Sequence, residues 1–417
     1  MLVVNAGLFI DGNGGEPRRN TRIYVEKGII IDVVDGQSAS VPEGATLLDA
    51  SAYTVMPGMV EAHTHVVFNG IPDDPTNGQV GLVSDLTGTI ALQAYVNAKK
   101  DLEAGFTTIR DMLSFEFVDI ALRNAINRGL VEGPRISACG YGLTSTGGHM
   151  DFTKGLRPDV HLSYFNNIVD TPDQARTTVR FLIKMGVDHI KINCGTCYRV
   201  KGRPLIHAPE MRPEVISAIV EEAHTAGRRV AAHCNGTTEL KTVQAGVDSL
   251  EHAHFIDDET IQAMAEYGTY LVPTMTHCVR NSIDIRKKLP EEKWPTDLVL
   301  NAYDSMYRVI PRAFQLGVKI ATGTDAGADL VPHGSSATEL ELLTAIGMSP
   351  MQAIVAATRT GAALLDMADM IGTLEKGHFA DLLVVKGNPL DDIRLLQNKE
   401  NIQVVMKNGK VVVDRRN

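Results

Sequence analysis

Short apolar runs broken by turn signals occupy both ends of the chain, and a strand, loop and helix pattern repeats between them. Near the N-terminus, residues 2–5, 22–25 and 29–33 are rich in aliphatic and β-branched side chains. Gly12-Asn13-Gly14-Gly15 and Glu26-Lys27-Gly28 interrupt them; the first is a turn and not a phosphate loop, because no helix-forming segment follows it. At the other end, residues 380–385 lead into Lys386-Gly387-Asn388-Pro389, and residues 404–406 reach 411–413 through Asn408-Gly409. Asn-Gly between apolar runs marks a tight hairpin. Both ends therefore predict pieces of one small β-sandwich, made of residues 1–57 plus 368–417.

The interior has a different rhythm. Eight runs have the composition of buried strands: 60–63, 107–110, 135–138, 189–192, 230–232, 249–251, 270–272 and 319–322. Segments with helical periodicity lie between them, among them 91–104, 173–185, 213–226 and 258–267, and several stop at glycine (Gly105, Gly186, Gly227, Gly268, Gly317), as helix ends do. Strands alternating with helices predict a parallel sheet, and eight such units predict an α/β fold of the (β/α)8 TIM barrel type over residues 58–367.

Bulk properties narrow the partners. The 417 residues carry 40 Lys+Arg against 50 Asp+Glu, a formal net charge of −10, which argues against nucleic acid as a partner. No apolar stretch approaches the roughly 20 residues of a membrane span. No secretory signal is read at the N-terminus. Five cysteines are too sparse for a disulfide framework, and Cys194-x-x-Cys197 has no second Cys-x-x-Cys to complete a zinc knuckle. A cytoplasmic homo-oligomer acting on a small-molecule substrate is the expectation.

Active sites on such barrels sit at the C-terminal ends of the strands. Six residues collect there: His63 and His65 after the first run, Lys191 in the fourth, His233 and His252 after the fifth and sixth, and Asp325 after the eighth. Imidazole nitrogens and carboxylate oxygens are ligands for divalent metals. In His63-Thr64-His65 the period of two puts both rings on one side of an extended backbone, where one metal can take both. By itself the triplet reads first as a polar strand end. His254 competes with His252 for the sixth position; His252 ranks first because it follows the apolar run directly. Asp325 can hold a metal and a bridging water and accept its proton, or it can cap the segment that follows.

Lys191, within His189-Ile190-Lys191-Ile192-Asn193, discriminates most. A lysine in a β run must snorkel, pair with a charge or be modified. Beside divalent cations its ammonium form is disfavoured. Addition of carbon dioxide makes an anionic carbamate with one oxygen for each of two metals. The simpler alternative is a structural lysine paired with Asp188 or another carboxylate.

These residues resemble the amidohydrolase superfamily over nearly the whole chain. Met56-Pro57-Gly58-Met59-Val60-Glu61-Ala62-His63-Thr64-His65 resembles its first metal motif, and residues 371–382 resemble its return into the β-sandwich. Lys191 implies the subtype with a carboxylated lysine and two divalent metal ions, zinc being the expected metal. Gly147-Gly148-His149, residues 246–252, Leu271-Val272-Pro273-Thr274 and His333-Gly334 before Glu339 resemble the Xaa-Pro dipeptidase, prolidase-like and arginine-carboxypeptidase-like group. That resemblance implies cleavage of a dipeptide or N-acyl amino acid by a metal-bridging hydroxide, with His149 near the substrate carbonyl or carboxylate and His333 among the substrate contacts.

Two segments depart from that group: Asn235 stands where relatives often carry a larger residue, and 193–199 is not the expected Gly-rich loop. Both are read as facing the substrate. Arg199 or Arg203 could clamp a carboxylate through a bidentate fork, or be a solvated surface arginine. Residues 66–89 and 277–309 are read as lids. The rivals are hydrolysis of a non-peptide amide, carbamate or lactam, a one-metal deaminase in which Lys191 has no role, and a non-catalytic binding module.

Overall fold

The computed structural model describes every residue except 37–39, 72–83, 154–155, 158, 160–166, 200–204, 210, 236–237, 289–295 and 417. Of residues 196–199, 205–209, 282, 284–288 and 296–300 it describes the backbone class alone.

The two ends of the chain meet in one seven-stranded sheet. Its spine is the long strand Thr46–Pro57, which pairs in parallel with Leu2–Phe9 and antiparallel with Leu382–Val385. Alternation of the period-two kind turns Val4, Ala6, Ile23, Val25, Leu382, Val384, Val404 and Met406 into a shared apolar core. The expected hairpin at Asn408-Gly409 joins Ile402–Lys407 to Lys410–Asp414, with both turn residues at positive φ.

The interior forms parallel sheets flanked by helices. Met59–Thr64, Phe106–Asp111 and Arg135–Ser137 make one sheet; His189–Arg199, Arg229–Cys234, Ser249–His252 and Tyr270–Val272 run side by side in another. Backbone pairing is not one continuous closed ladder. The eighth run contributes only isolated bridges, Leu271 with Ile320 on one side and Thr64 with Ala326 on the other, where a full strand was expected. Even so, Ala62 N–H donates to Thr322 O (2.9 Å) and Asp325 N–H to His63 O (2.9 Å), so the eighth run lies between the seventh and the first. Gly323 is required there: a Cβ would lie 2.9 Å from the backbone nitrogen of His63 and 2.5 Å from Val272.

Local chemistry explains where helices begin and end. Pro172–Met185 opens with a capping box between Thr171 and Gln174 and stops at Gly186 in the left-handed region. Asp258–Tyr267 is capped by the Asp257 carboxylate and ends at Gly268 in the same way.

Two segments differ from the reading of the sequence. Residues 193–199 are not a loop: the strand His189–Arg199 runs on and pairs antiparallel with Leu205–Pro209. β-branched and aromatic residues there (Thr196, Tyr198) favour extension over the Gly-rich alternative. The second segment read as a lid is largely helical, Met275–Lys288 and Thr296–Gln315. Much of the first one, 72–83, lies outside the described residues.

The helix Met275–Lys288 has its start fixed from outside. The buried Glu339 carboxylate accepts hydrogen bonds from Met275 N–H (2.8 Å), Thr276 N–H (2.8 Å) and the Thr276 hydroxyl (2.6 Å), while burial pushes its pKa up to about 7. Glu339→Gln turns an amide NH2 toward one of those donors. We expect it to cost about 1–3 kcal/mol in chemical denaturation, the usual cost of an unsatisfied buried polar group. An unchanged denaturation midpoint would show that the cap contributes nothing.

Candidate active site

The C-terminal ends of the parallel strands converge on a cavity of about 370 Å³. His63, His65, Lys191, His233, His252 and Asp325 all line it, as do His149 and Asn235. The His63 ring centroid lies 5.4 Å from that of His65 and 4.9 Å from that of His252, which in turn is 4.5 Å from His233. One carboxylate oxygen serves two rings: Asp325 Oδ1 is 3.4 Å from His63 Nε2 and 3.0 Å from His65 Nε2. Ligand atoms of His63, His252 and Asp325 come within 4.8 Å of one another.

Backbone strain accompanies this convergence. His252 (φ 66°) and Asp325 (φ 65°) adopt the left-handed region, which costs a non-glycine residue roughly 1–2 kcal/mol. Such outliers persist where surrounding contacts overdetermine them. Thr274 supplies one such contact at 2.7 Å from His252 Nδ1. Glu61 supplies another: its buried carboxylate accepts from His63 N–H (3.0 Å), Thr324 N–H (2.9 Å) and the Thr324 hydroxyl (3.0 Å), tying the first run to the eighth.

Burial sets the protonation of the rings. Burial, then the charge of Lys191, brings His63 down to about 4, and burial pushes His233 and His252 well below the usual imidazole range. Burial also lowers Lys191. For Asp325, burial pulls the carboxyl up, but the His277 hydrogen bond and the neighbouring rings of His63 and His65 outweigh it and hold it well below the usual carboxylate range. For Glu251, burial is likewise outweighed, here by Arg110 and His63, leaving it at about 2. Near neutral pH the site thus pairs neutral His63, His233 and His252 with the ionised carboxylates of Asp325 and Glu251.

That pairing tests the fit of a metal. His63 Nδ1 lies 2.7 Å from Glu251 Oε2, and because an ionised carboxylate can only accept, that contact favours the tautomer with the ring proton on Nδ1. Its other nitrogen, Nε2, then faces Asp325 Oδ1 with a lone pair against a lone pair. A cation resolves that conflict. His65 adds a buried Nδ1 with no hydrogen-bond partner among the described residues. The donor set, imidazoles with one carboxylate, is the type that borderline divalent ions take.

Lys191 is 2% exposed, and no described residue forms an ion pair with its amine. Asp188, the partner in the simpler reading, is engaged by Arg123 instead at 2.5 Å and also accepts from Ala138 N–H. Among the described residues, Asp325 caps no helix with its side chain; its second oxygen is 3.2 Å from His277 Nδ1. Between the two histidines of the sixth position, His254 directs Nε2 at the Pro273 carbonyl oxygen (3.0 Å), whereas His252 stands among the other rings.

The proposed substrate contacts divide. His149 is exposed on its loop and stacks on His233 with centroids 4.5 Å apart. Asn235 borders the cavity, its side-chain oxygen 3.4 Å from His254 N. His333 is a correction: it does not line the cavity. It is 6% exposed, with Nδ1 2.8 Å from Asp101 and Nε2 3.0 Å from the Phe68 carbonyl oxygen, so both nitrogens are committed within the protein. Arg203 and the side chain of Arg199 lie outside the described residues.

Reading the sequence missed His277, because it follows the seventh run within a helix-forming stretch and carries no motif of its own. It also missed the support from Glu251, although the alternation of Ser249, Leu250 and Glu251 could have placed that carboxylate on the interior face.

The chain belongs to the amidohydrolase family, whose pattern matches residues 54–412. A crystal structure of a Xaa-Pro dipeptidase with bound methionine superposes with a TM-score of 0.86 and 32% identity over 99% of each chain. A putative prolidase from Bifidobacterium longum gives 0.82 and 30%, covering all of this chain and 96% of that one. Ochratoxinase from Aspergillus niger is 31% identical over 436 aligned positions, 99% of this chain and 86% of the relative. The protein is thus an amidohydrolase of the prolidase-like group, a hydrolase of carbon–nitrogen bonds. Among the described residues, no helix is long and apolar enough to cross a membrane.

Proposed function

We propose that this protein hydrolyses the amide bond of a dipeptide or N-acyl amino acid, using two divalent metal ions at the mouth of a (β/α)8 barrel spanning 58–367. His63, His65 and Asp325 would hold one ion, His233 and His252 the other, and a carboxylated Lys191 would join them; zinc is the metal the donor set suits. The observation that carries this reading is the placing of His63, with Nε2 3.4 Å from Asp325 Oδ1 while its Nδ1 lies 2.7 Å from Glu251 Oε2.

When bound, the ions supply Lewis acidity and a nucleophile from water at neutral pH. The protein's own groups do the rest. Asp325 takes the proton released in the attack, on the oxygen it shares with His277, and returns it to the leaving amine. His149, stacked on His233 at the open side of the cavity, donates to the carbonyl oxygen as charge develops there. Met150, Phe255, Cys278 and Ala302 are apolar members of the cavity lining, which suits a bulky apolar group beside the scissile bond. The Xaa-Pro dipeptidase and ochratoxinase likenesses support a substrate of this class.

A panel of dipeptides and N-acyl amino acids, assayed with zinc-loaded protein, tests the substrate class. We expect turnover concentrated on members with an apolar residue or acyl group. Turnover of lactams or carbamates alone would replace the reading. The carbamate has its own test: metal-free protein should regain more activity with zinc plus bicarbonate than with zinc in carbon-dioxide-depleted buffer. Equal recovery in both would count against modification of Lys191.

A further inference from the structure

Beneath the metal-binding face lies a buried ion pair that none of the catalytic steps uses. Arg110 is 3% exposed and Glu251 is fully buried. The guanidinium comes from the second strand and reaches the sixth: Arg110 Nη2 donates to Glu251 Oε1 (2.8 Å), Nη1 to Ser249 Oγ (3.2 Å) and Nε to the Ala62 carbonyl oxygen (2.6 Å). Ser249 Oγ also donates to Glu251 Oε1, at 2.5 Å. One carboxylate oxygen is therefore saturated by donors, and the other, Oε2, is left for His63 Nδ1 at 2.7 Å.

A buried ion pair is expensive to desolvate, and apolar residues of like volume often serve stability as well. Its place under His63 gives it a different use. We propose that Arg110 and Glu251 are positioning residues that fix the tautomer of His63: Arg110 and Ser249 pin one oxygen, so an acceptor always faces Nδ1, and Nε2 is kept as a bare lone pair. This rests on the metal-centre reading above, in which Nε2 is the ligating atom. A hydrogen-bonded carboxylate behind a ligating imidazole is the arrangement that orients such rings.

The consequence is specific to the amide. In Glu251→Gln, Arg110 and Ser249 both demand the carbonyl oxygen, so the NH2 is turned to His63. A donor there moves the ring proton to Nε2, where it hydrogen-bonds to Asp325 and blocks the metal. Removing Arg110 as well releases the amide to rotate. Glu251→Gln should therefore weaken metal binding about 10–100-fold, and Glu251→Gln with Arg110→Met should recover part of that loss.

The test combines ring-15N NMR of histidine-labelled, metal-free protein at pH 8 with zinc titration by calorimetry, assigning the His63 signal by its absence in His63→Ala. The expected result is an Nδ1–H ring in the unmodified protein, an Nε2–H ring in Glu251→Gln, and partial return of both readouts in the double variant. A proton on Nε2 in the unmodified protein would overturn the proposal, and this holds even where the variants do not fold. So would Glu251→Gln with unchanged tautomer and zinc affinity. Failure of the unmodified protein to take up zinc at all would overturn the metal centre instead, leaving the tautomer measurement to judge the Arg110–Glu251 pair alone.

Discussion

Lys191→Ala should leave a folded protein that holds one metal ion in place of two and turns over roughly 10³-fold more slowly, since a catalytic metal is worth several kcal/mol of transition-state stabilisation. A lysine 2% exposed, with no ion-pair partner among the described residues, is an expensive residue to keep. Its stem packs beside Gly142, where an added Cβ would sit 3.4 Å from Lys191 Cγ, so the strand has been fitted to it. The carboxylates nearest to it in charge, Glu251 and Asp325, favour its cationic form, yet burial prevails and lowers it. A neutral amine is the form that adds carbon dioxide. Metal content by plasma mass spectrometry, read beside kcat, decides the matter. Two ions per chain and near-normal turnover in the variant would remove the bridge from the mechanism. One ion with a large fall in kcat would support it.

The positions that were legible in the sequence share a property: each lies at or near the C-terminal end of a run whose apolar composition announces it. His233 follows Ala231-Ala232, and His252 follows Ser249-Leu250-Glu251. Period-two alternation fixes which face they take, so their convergence follows once the strands are laid in parallel. The eighth run was read as a strand, yet Lys319 and its neighbours pair only at Ile320, because Gly323 and the left-handed Asp325 end extension early. His333 was misjudged for a related reason. Its Gly334 neighbour looks like a loop near the substrate, but Asp101, on a helix more than 200 positions earlier, claims the ring. Contacts of that separation leave no local trace in a sequence. His277 was illegible likewise, since only the fold brings a helix start beside Asp325.

Asp325→Asn separates the catalytic role of this residue from the structural one more sharply than removal of the side chain would. Asparagine caps helices about as well as aspartate, and among non-glycine residues both are favoured in the left-handed backbone that position 325 adopts at φ 65°. If Asp325 were only a cap or a turn residue, the change would leave both stability and turnover nearly untouched. The geometry predicts otherwise. Both of its oxygens face imidazole nitrogens, Oδ1 toward His63 and His65 and Oδ2 toward His277. An amide cannot take up the proton that the mechanism sends there, and its NH2 offers nothing to a cation. Loss of general-base action alone is worth about 10²–10⁴-fold, and weakened metal binding adds to it. We therefore expect kcat to fall by at least roughly 10³-fold, about 4 kcal/mol. The melting temperature of the metal-free variant should stay within a few degrees of the unmodified protein. Turnover within tenfold of normal would return Asp325 to the role of a turn residue and leave His277, 3.2 Å from its Oδ2, as the group to examine for proton transfer.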